Sequence, residues 1–203
     1  MNFTALEETL KRKGFAVASF STAAEAADYL DRELDGKTVG IGGSDTIKTM
    51  GLAERLRKHN TVYWHWLPDQ KQAHGADAVR RMAMDTQVYL TSVNALAETG
   101  LLVNIDGTGN RIASISFGHE KVYVLVGRNK ITPDLDSALW RARNVAAPKN
   151  AQRLGYQTPC AVKGDRCYDC NSPDRLCRGF LITERPMRGT EMEIVLIDEE
   201  LGA

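Results

Sequence analysis

The sequence lacks an excess of charge of either sign, because 26 lysine and arginine residues balance 26 aspartate and glutamate residues. Proteins that bind nucleic acid usually carry a basic excess, so we expect no nucleic-acid partner. No apolar run approaches the roughly 20 residues that a membrane-spanning helix needs, so we also expect no membrane contact. Cysteine is absent before position 160, and all four cysteines lie between positions 160 and 177.

The first residues, MNFTALEETLKRKG, mix acidic and basic side chains and contain no apolar core of the kind that a signal peptide requires. They also carry no lipidation motif. These features predict a cytoplasmic protein. Because the cytoplasm is reducing, clustered cysteines there bind a metal or exchange electrons more often than they form structural disulfides.

Apolar segments of strand length alternate with amphipathic segments of helix length over the first half of the chain. Strands are predicted at FAVASF, TVGIGGS, TVYWHW and QVYLTS, and helices between them at STAAEAADYLDRELDG, DTIKTMGLAERLRKHN and GADAVRRMAMD. This alternation predicts an α/β fold, with an open, mostly parallel sheet flanked by helices. The length suits a single domain over residues 1–203.

The order of elements changes after Ser92. Two apolar runs flank DGTGN, a stretch of turn residues, which predicts an antiparallel hairpin or a similar bend. KVYVLVG is almost continuously apolar and suits a buried central strand. The segment that begins PDLDSALW is predicted to be helical until Pro148 breaks it, and EIVLIDEELG is predicted to be the last strand.

The segment over residues 158–180 is polar, loop-like and rich in cysteine. Its spacing is Cys-x6-Cys-x2-Cys-x6-Cys, formed by Cys160, Cys167, Cys170 and Cys177. Four thiolates suit Zn²⁺ or an iron–sulfur cluster, and a redox dithiol pair or four unrelated thiols are the alternatives. Structural zinc usually has two Cys-x2-Cys pairs, whereas this segment has one, which favours a 4Fe-4S cluster. A cubane with four cysteine ligands has no open iron, so electron transfer, sensing or structural support is expected of it.

The stretch VGIGGSDTIKTMG places glycines between a predicted strand and a predicted helix. Backbone N–H groups at such a junction attract anions, so we predict ligand contacts there. The predicted residues are Gly42, Gly43, Ser44, Asp45 and Thr46. The stretch is neither a dinucleotide fingerprint nor a P-loop, because the third glycine and the Gly-Lys-Ser/Thr motif are missing. The alternative is a tight turn in which Ser44 or Asp45 only caps the helix.

Polar residues interrupt the apolar ones throughout NALAETGLLVNIDGTGNRIASISFG. Glu98 or Asp106 is a candidate general base or nucleophile in this apolar context. The further candidate ligand-binding residues are Thr99, Gly100, Asn104, Gly107, Asn110 and Arg111. The competing interpretation is that Asp106 and its glycine neighbours form a turn, and that Glu98 is a solvated helix charge.

One lysine and three histidines are weaker candidates. Lys130 follows the strongest predicted strand and could meet an anion there, although a solvated lysine is the more common case. His65 lies between two tryptophans, where a histidine with its hydrogen bonds satisfied is more common than a catalytic one. His74 and His119 lie near glycines, and we expect both in loops or at exposed element ends.

Three stretches together resemble the LUD-domain family, whose members are associated with lactate utilisation. They are VGIGGSDTIKTMG, ETGLLVNIDGTGNRIASISFGHEKVYVLVGRNKI, and the segment from RNVAAPKNAQRLGYQTPC to CYDCNSPDRLC. The resemblance implies a fold similar to that of sugar-phosphate isomerases and CoA-transferases, with a ligand cleft near the strand ends. It implies an anion- or nucleotide-binding loop at residues 42–46. It also places along the cleft Glu98, Thr99, Gly100, Asn104, Asp106, Asn110 and Arg111.

Family members tied to L-lactate oxidation work in multicomponent iron–sulfur systems, and the cysteine segment resembles that of a cysteine-bearing subgroup. The resemblance implies an accessory protein that binds a small molecule or anion, carries a 4Fe-4S cluster and works beside iron–sulfur oxidoreductase subunits. One alternative is a stand-alone isomerase or acyl-transfer enzyme with structural zinc and with Glu98 or Asp106 as base or nucleophile. The other is a regulatory module in which cluster loss reports oxidative stress.

Overall fold

A computed structural model describes residues 2–203 and contains two β-sheets surrounded by helices. The strands are β1 (Ala16–Phe20), β2 (Thr38–Ile41), β3 (Thr61–Tyr63), β4 (Val88–Ser92), β5 (Ala95–Ala97), β6 (Leu102–Asp106), β7 (Lys121–Gly127), β8 (Ile131–Thr132), β9 (Gly179–Thr183) and β10 (Glu191–Ile197). The main sheet has the order β1-β10-β7-β4-β2-β3, and every neighbouring pair is parallel. The α/β fold with an open parallel sheet is therefore confirmed.

The smaller sheet has the order β8-β5-β6-β9 and mixes the two strand directions. Its β5–β6 and β6–β9 pairs are antiparallel, whereas β5 and β8 are parallel. The helices are α1 (Thr4–Arg12), α2 (Ala23–Glu33), α3 (Asp45–Thr49), α4 (Leu52–Leu56), α5 (Pro68–His74), α6 (Ala76–Met84), α7 (Asn110–Ser116), α8 (Leu135–Arg141), α9 (Ala147–Arg153) and α10 (Pro159–Lys163).

The apolar side chains of the main sheet pack into two separate cores, one on each face of the sheet. Along β7, Tyr123 and Leu125 join the core beneath α2, α3 and α4. Val122, Val124 and Val126 point to the opposite core, which α1 and the smaller sheet cover. Because successive side chains of a strand alternate between faces, a strand buried on both faces must be apolar throughout. This explains KVYVLVG and confirms its predicted central position.

The predicted hairpin around DGTGN is wrong, because the second apolar run is a helix. β6 ends at Asp106, and the chain then enters α7 at Asn110. The run RIASIS turns Ser114 and Ile115 inward and leaves other positions part-exposed, which a short helix permits. Glycines at positions 107 and 109 therefore serve a strand-to-helix loop, and the local hairpin is instead the one between β5 and β6.

Pro148 does not break its helix. The helical path from α8 continues through a π-helical turn over Ala142–Ala146 into α9, where Pro148 is buried in the first turn. In the π-helical turn, the N–H of Ala147 bonds to the carbonyl of Ala142, five residues back. This wider turn lies immediately before a proline, whose missing N–H removes one bond of the ordinary pattern.

Two other predicted elements are shorter than expected. The helix predicted from Asp45 to Asn60 splits into α3 and α4 at Gly51, which adopts a left-handed conformation with φ of 63°. The strand predicted at TVYWHW ends at Tyr63, so His65 lies in the loop that follows β3. No helix in residues 2–203 combines the length and apolar character that crossing a bilayer requires.

Candidate functional site

A cleft of about 540 Å³ lies where strands of the main sheet end. Four of these strands contribute residues to its lining. Ser92 is the last residue of β4, and the residues that follow β2, β3 and β7 are Gly43, His65 and Lys130, respectively. Carboxyl ends of parallel strands meet at one edge of a sheet, and open α/β folds bind their ligands at that edge. The cleft is therefore the strongest candidate for a ligand site.

Basic side chains outnumber acidic ones in the cleft lining. The basic residues are Arg80, Arg111, Lys130, Lys149 and Arg153, and the acidic ones are Asp45 and Asp106. An excess of positive charge in a concave site attracts anions and raises their local concentration. The whole chain has no net charge, so this local excess comes from the fold and is invisible in the composition.

Lys130 is buried at the floor of the cleft and is not the solvated lysine of the alternative interpretation. Its side chain is only 3% exposed, and Nζ donates hydrogen bonds of 2.9 Å to Thr46 Oγ1 and to Ser92 Oγ. Burial, reinforced by the charges of Arg141 and Arg111, lowers the pKa of Lys130 to about 7. Near neutral pH this amine is therefore present in both protonation states.

Arg111 presents to the cleft a guanidinium with unused hydrogen-bond donors. Its Nη2 donates to Asn94 Oδ1 at 3.0 Å and to the carbonyl oxygen of Ile105. Its remaining N–H groups have no acceptor within residues 2–203. A guanidinium held on one side in this way can offer its other side to a carboxylate or phosphate.

Asp106 is held by the first turn of α7 rather than presented to a ligand. Its Oδ1 accepts the N–H of Thr108 at 3.2 Å, and its Oδ2 accepts the N–H groups of Arg111 at 2.9 Å and Ile112 at 3.2 Å. A carboxylate that caps backbone N–H groups stabilises the start of a helix. These contacts favour the turn interpretation of Asp106 and give it a role in positioning Arg111.

His65 lines the cleft with one ring nitrogen unpaired. The residue is 8% exposed, and its Nδ1 has no hydrogen-bond partner among the described residues. Burial lowers its pKa to about 4, so the imidazole is neutral at physiological pH. This differs from the expected histidine with satisfied hydrogen bonds.

His119 also differs from expectation, because it is buried and its Nδ1 lies 2.7 Å from the carbonyl oxygen of Thr86. His74 is exposed, as expected.

Glu98, Thr99 and Gly100 lie outside the cleft lining, contrary to their predicted placement. They form the turn between β5 and β6, at the opposite end of β5 from Asn94. A Cβ at Gly100 would lie 2.8 Å from Cδ of Lys13, which shows that this turn packs against the C-terminal end of α1. The antiparallel pairing of β5 and β6 carries the turn away from the site.

Three predicted ligand-binding residues lie directly behind the lining and support it. The carbonyl of Gly42 accepts from Trp64 Nε1 at 3.1 Å, Thr46 accepts from Lys130, and Asn104 Nδ2 donates to the carbonyl of Ser92 at 3.0 Å. Seven predicted residues line the cleft itself, together with Asp106: Gly43, Ser44, Asp45, Gly107, Asn110, Arg111 and Lys130. Ser44 also caps α3, because its Oγ accepts the N–H of Ile47 at 3.3 Å.

Sequence reasoning missed several lining residues, chiefly Ser92, Asn94, Arg80, Lys149 and Arg153. The first two carried a usable signal, because they are polar residues at the end of a strongly apolar strand. The basic residues of α9 carried no such signal, since Lys149 and Arg153 are four residues apart, a spacing typical of ordinary surface charges on a helix. The Arg153 guanidinium lies 4.8 Å from the ring of Trp66, which fixes its position at the cleft.

All four cysteines line one small cavity of about 20 Å³ beside α9. They are free thiols, each partly exposed: Cys160, Cys167, Cys170 and Cys177. Two sulfurs accept hydrogen bonds of 3.3 Å, Cys167 from the N–H of Asp169 and Cys177 from Nη2 of Arg175. Hydrogen bonds to a ligating sulfur tune the potential of a bound cluster.

The cysteine cavity fits an iron–sulfur cluster or zinc by its donor chemistry. As the side chains stand, no group of three or more His, Cys, Asp or Glu residues within residues 2–203 is arranged to hold a metal ion. The cavity is about the size of one water molecule, so a cubane would displace the thiols outward. Three of the four cysteines lie on irregular chain, where such movement costs little, and only Cys160 lies on a helix.

Leu176 lines both the cleft and the cysteine cavity. Helix α9 also separates the two, because Lys149 and Arg153 line the cleft while Ala147 and Ala151 line the cysteine cavity. The cysteine segment therefore borders the cleft, with Leu176 common to both linings.

The family model of the LUD domain matches residues 4–197, which include both sheets, the cleft and the cysteine segment. The chain belongs to the LUD-domain family. This confirms the family that the three sequence stretches indicated.

The LUD-domain chain also resembles a solved structure, the crystal structure of a DUF162 family protein from Deinococcus radiodurans. The two are 14% identical, the match covers 96% of this chain and 95% of that chain, and the TM-score is 0.54. At this identity the likeness shows a shared fold and nothing about activity. A comparison with curated proteins finds no match.

Proposed function

We propose that this LUD-domain protein binds an anionic metabolite in its cationic cleft and holds a 4Fe-4S cluster at its four cysteines. In this role it is a cytoplasmic accessory protein that works beside iron–sulfur oxidoreductase subunits in the oxidation of lactate or a related organic acid. The observation that carries the proposal is Leu176, which lines both cavities and so joins the ligand site to the cysteines.

The cleft suits an organic acid in charge, and its volume exceeds what a small one fills. Arg111 has unused N–H groups, and Lys149 and Arg153 add positive charge from α9. Most of the lining residues are polar or charged, which favours a polar ligand over a hydrophobic one. A volume of about 540 Å³ also leaves room for a larger conjugate of such an acid.

The cysteine segment supplies the residues for the cluster. Cys160, Cys167, Cys170 and Cys177 would each ligate one iron, and Arg175 and the N–H of Asp169 would remain as donors to sulfur. A bound cluster of this kind accepts and releases single electrons. With every iron ligated by cysteine, the ligand in the cleft would exchange electrons with the cluster without coordinating it.

Purification without oxygen, followed by iron and sulfide analysis and electron paramagnetic resonance, tests the cluster. We expect about four irons and four sulfides per chain, lost in each Cys→Ser variant. Ser172→Ala in the same segment is the matched control and should keep the full content. One zinc per chain and no colour would instead support the alternative of a stand-alone enzyme with a structural metal. A cluster whose loss changes oligomeric state or partner binding would support the sensing alternative.

Calorimetry with L-lactate and pyruvate tests the cleft separately. We expect binding of both acids, no binding of the uncharged analogue lactamide, and loss of binding in Arg111→Met. The exposed Arg32→Met is the control for a change of net charge and should bind normally. Equal binding of lactamide and lactate would contradict an anion site.

A further inference from the structure

Lys130 has an environment that differs from that of an ordinary anion-binding lysine. It is buried, no carboxylate within residues 2–203 is hydrogen-bonded to it, and two further cations, Arg111 and Arg141, act on its charge. Asp45 opposes these cations, but it acts on Lys130 only through space. A buried ammonium without an ion-pair partner is costly, so this surrounding favours the neutral amine.

The two hydroxyl partners of Lys130 cannot donate hydrogen bonds to it. The hydroxyl hydrogen of Thr46 goes to the carbonyl of Leu201 at 3.2 Å, and that of Ser92 goes to the carbonyl of Leu125 at 2.6 Å. Each hydroxyl oxygen therefore accepts an N–H of Lys130. A neutral amine has two hydrogens, so both are used, and the remaining tetrahedral position of Nζ is its lone pair.

This arrangement also excludes a serine nucleophile activated by the lysine. In such a pair the serine hydroxyl donates its hydrogen to the amine, whereas here Ser92 donates to a backbone carbonyl. The nucleophile that the geometry leaves is therefore the amine itself. Lys130 belongs to the cleft lining, which is where a bound ligand would meet the amine.

We propose that Lys130 Nζ forms a reversible imine with the carbonyl carbon of a 2-oxo acid bound in the cleft. The inference rests on the proposed function, in that it names the class of organic acid that the cationic cleft takes. A 2-oxo acid carries the two groups that the site addresses, a carboxylate for Arg111 and an adjacent ketone or aldehyde for the amine. It is also the class of product formed when a 2-hydroxy acid is oxidised.

The step balances without any further reagent. The lone pair of Nζ attacks the carbonyl carbon, the carbonyl π electrons move to oxygen, and a carbinolamine forms. The two hydrogens of the amine end on that oxygen through proton transfers, the C–O bond breaks, and water leaves as the C=N bond forms. A pKa of about 7 for Lys130 keeps a large fraction of the amine neutral and nucleophilic near neutral pH.

Reductive trapping tests the imine directly. The full-length protein is incubated with pyruvate and sodium cyanoborohydride, digested, and mapped by mass spectrometry. We expect the reduced pyruvate adduct at Lys130, with a yield at least about tenfold above that at the exposed Lys58, because a lowered pKa enriches the nucleophilic form. An adduct spread evenly over the surface lysines, or absent from Lys130, would overturn the proposal.

Two variants separate the imine from simple binding. Lys130→Met should lose the mapped adduct, whereas Lys58→Met should keep it. The adduct map of the wild-type protein tests the proposal even if a variant fails to fold. Calorimetry on the same wild-type sample distinguishes the two proposals. Pyruvate binding without an adduct at Lys130 would remove the imine and leave the anion site standing, whereas no binding would remove the site itself.

Discussion

Leu176 lies against the backbone of Gly107 so closely that a Cβ on Gly107 would come within 2.8 Å of the Leu176 carbonyl oxygen. Gly107 lines the cleft, and the residue after Leu176 is the cysteine Cys177. This contact joins the cysteine segment to the loop that follows β6. The absence of a side chain at position 107 is what allows the two segments to touch.

Gly107→Ala is expected to push the cysteine segment away from the cleft. The added methyl group overlaps a backbone oxygen, which cannot move without the segment, and overpacking of this kind costs about 1–3 kcal/mol. Anaerobic reconstitution followed by iron analysis should show weaker cluster retention than in the wild type. Thr108→Ala, which changes the neighbouring exposed side chain without adding atoms, should retain the cluster. Equal retention in both variants would mean that this contact does not hold the segment.

Asp106→Ala is expected to lower both stability and anion affinity. The variant loses three hydrogen bonds at the start of α7, including the one from the N–H of Arg111, and removal of a capping side chain costs about 1 kcal/mol. Urea denaturation and calorimetry with lactate measure the two effects. Glu98→Ala removes the other candidate carboxylate and should change neither, because Glu98 lies in the exposed β5–β6 turn.

His65 is expected to make the protein sensitive to acid. Its pKa is lowered to about 4 by burial, so between that value and the ordinary value of about 6.5 the unfolded chain binds a proton that the folded chain does not. Stability is therefore fully present above about pH 6.5 and falls as the pH decreases toward 4, by about 2–3 kcal/mol from this group. His65→Gln should flatten that part of the profile, measured by thermal unfolding as a function of pH.

His59 provides a control of opposite sign. A hydrogen bond with Asp31 raises its pKa, so its contribution to stability is present at acidic pH and is lost as the pH rises through the folded pKa. His59→Gln should consequently reduce stability at about pH 5.5 more than at about pH 8.5. A profile that His65→Gln and His59→Gln change in the same direction would contradict these environments.

Lys130→Met is expected to stabilise the protein while removing function. The pKa of Lys130 is lowered from its ordinary value of 10.5 to about 7, so the buried ammonium costs most below pH 7, and the cost disappears as the pH rises toward 10.5. Replacing such a group by an apolar one of similar volume is neutral or gains about 1–4 kcal/mol. Thermal unfolding should show a larger gain at pH 6 than at pH 10. A loss of stability at both values would mean that the hydrogen bonds to Thr46 and Ser92 outweigh burial.

The sequence predicted much of the main sheet, because strands buried on both faces leave continuous apolar runs. β7 is the clearest case, and the capping box formed by Thr22 and Glu25 similarly marks the start of α2. The hairpin predicted around DGTGN was wrong, because turn residues suit a strand-to-helix loop as well as a hairpin. Only the packing of Ile115 against the core decides between them.

By itself, the sequence determined the parallel α/β architecture, the family, and the clustering of four thiols, since each shows in patterns within continuous stretches of the chain. It also named many of the lining residues, because polar residues that follow buried strands gather at one sheet edge. Only the tertiary structure decided that Glu98 lies outside the site, that Lys130 is buried between two hydroxyls, and that Leu176 joins the cleft to the cysteines. These relationships link segments far apart in the chain, and burial, which sets the chemistry of Lys130 and His65, exists only once those segments pack together.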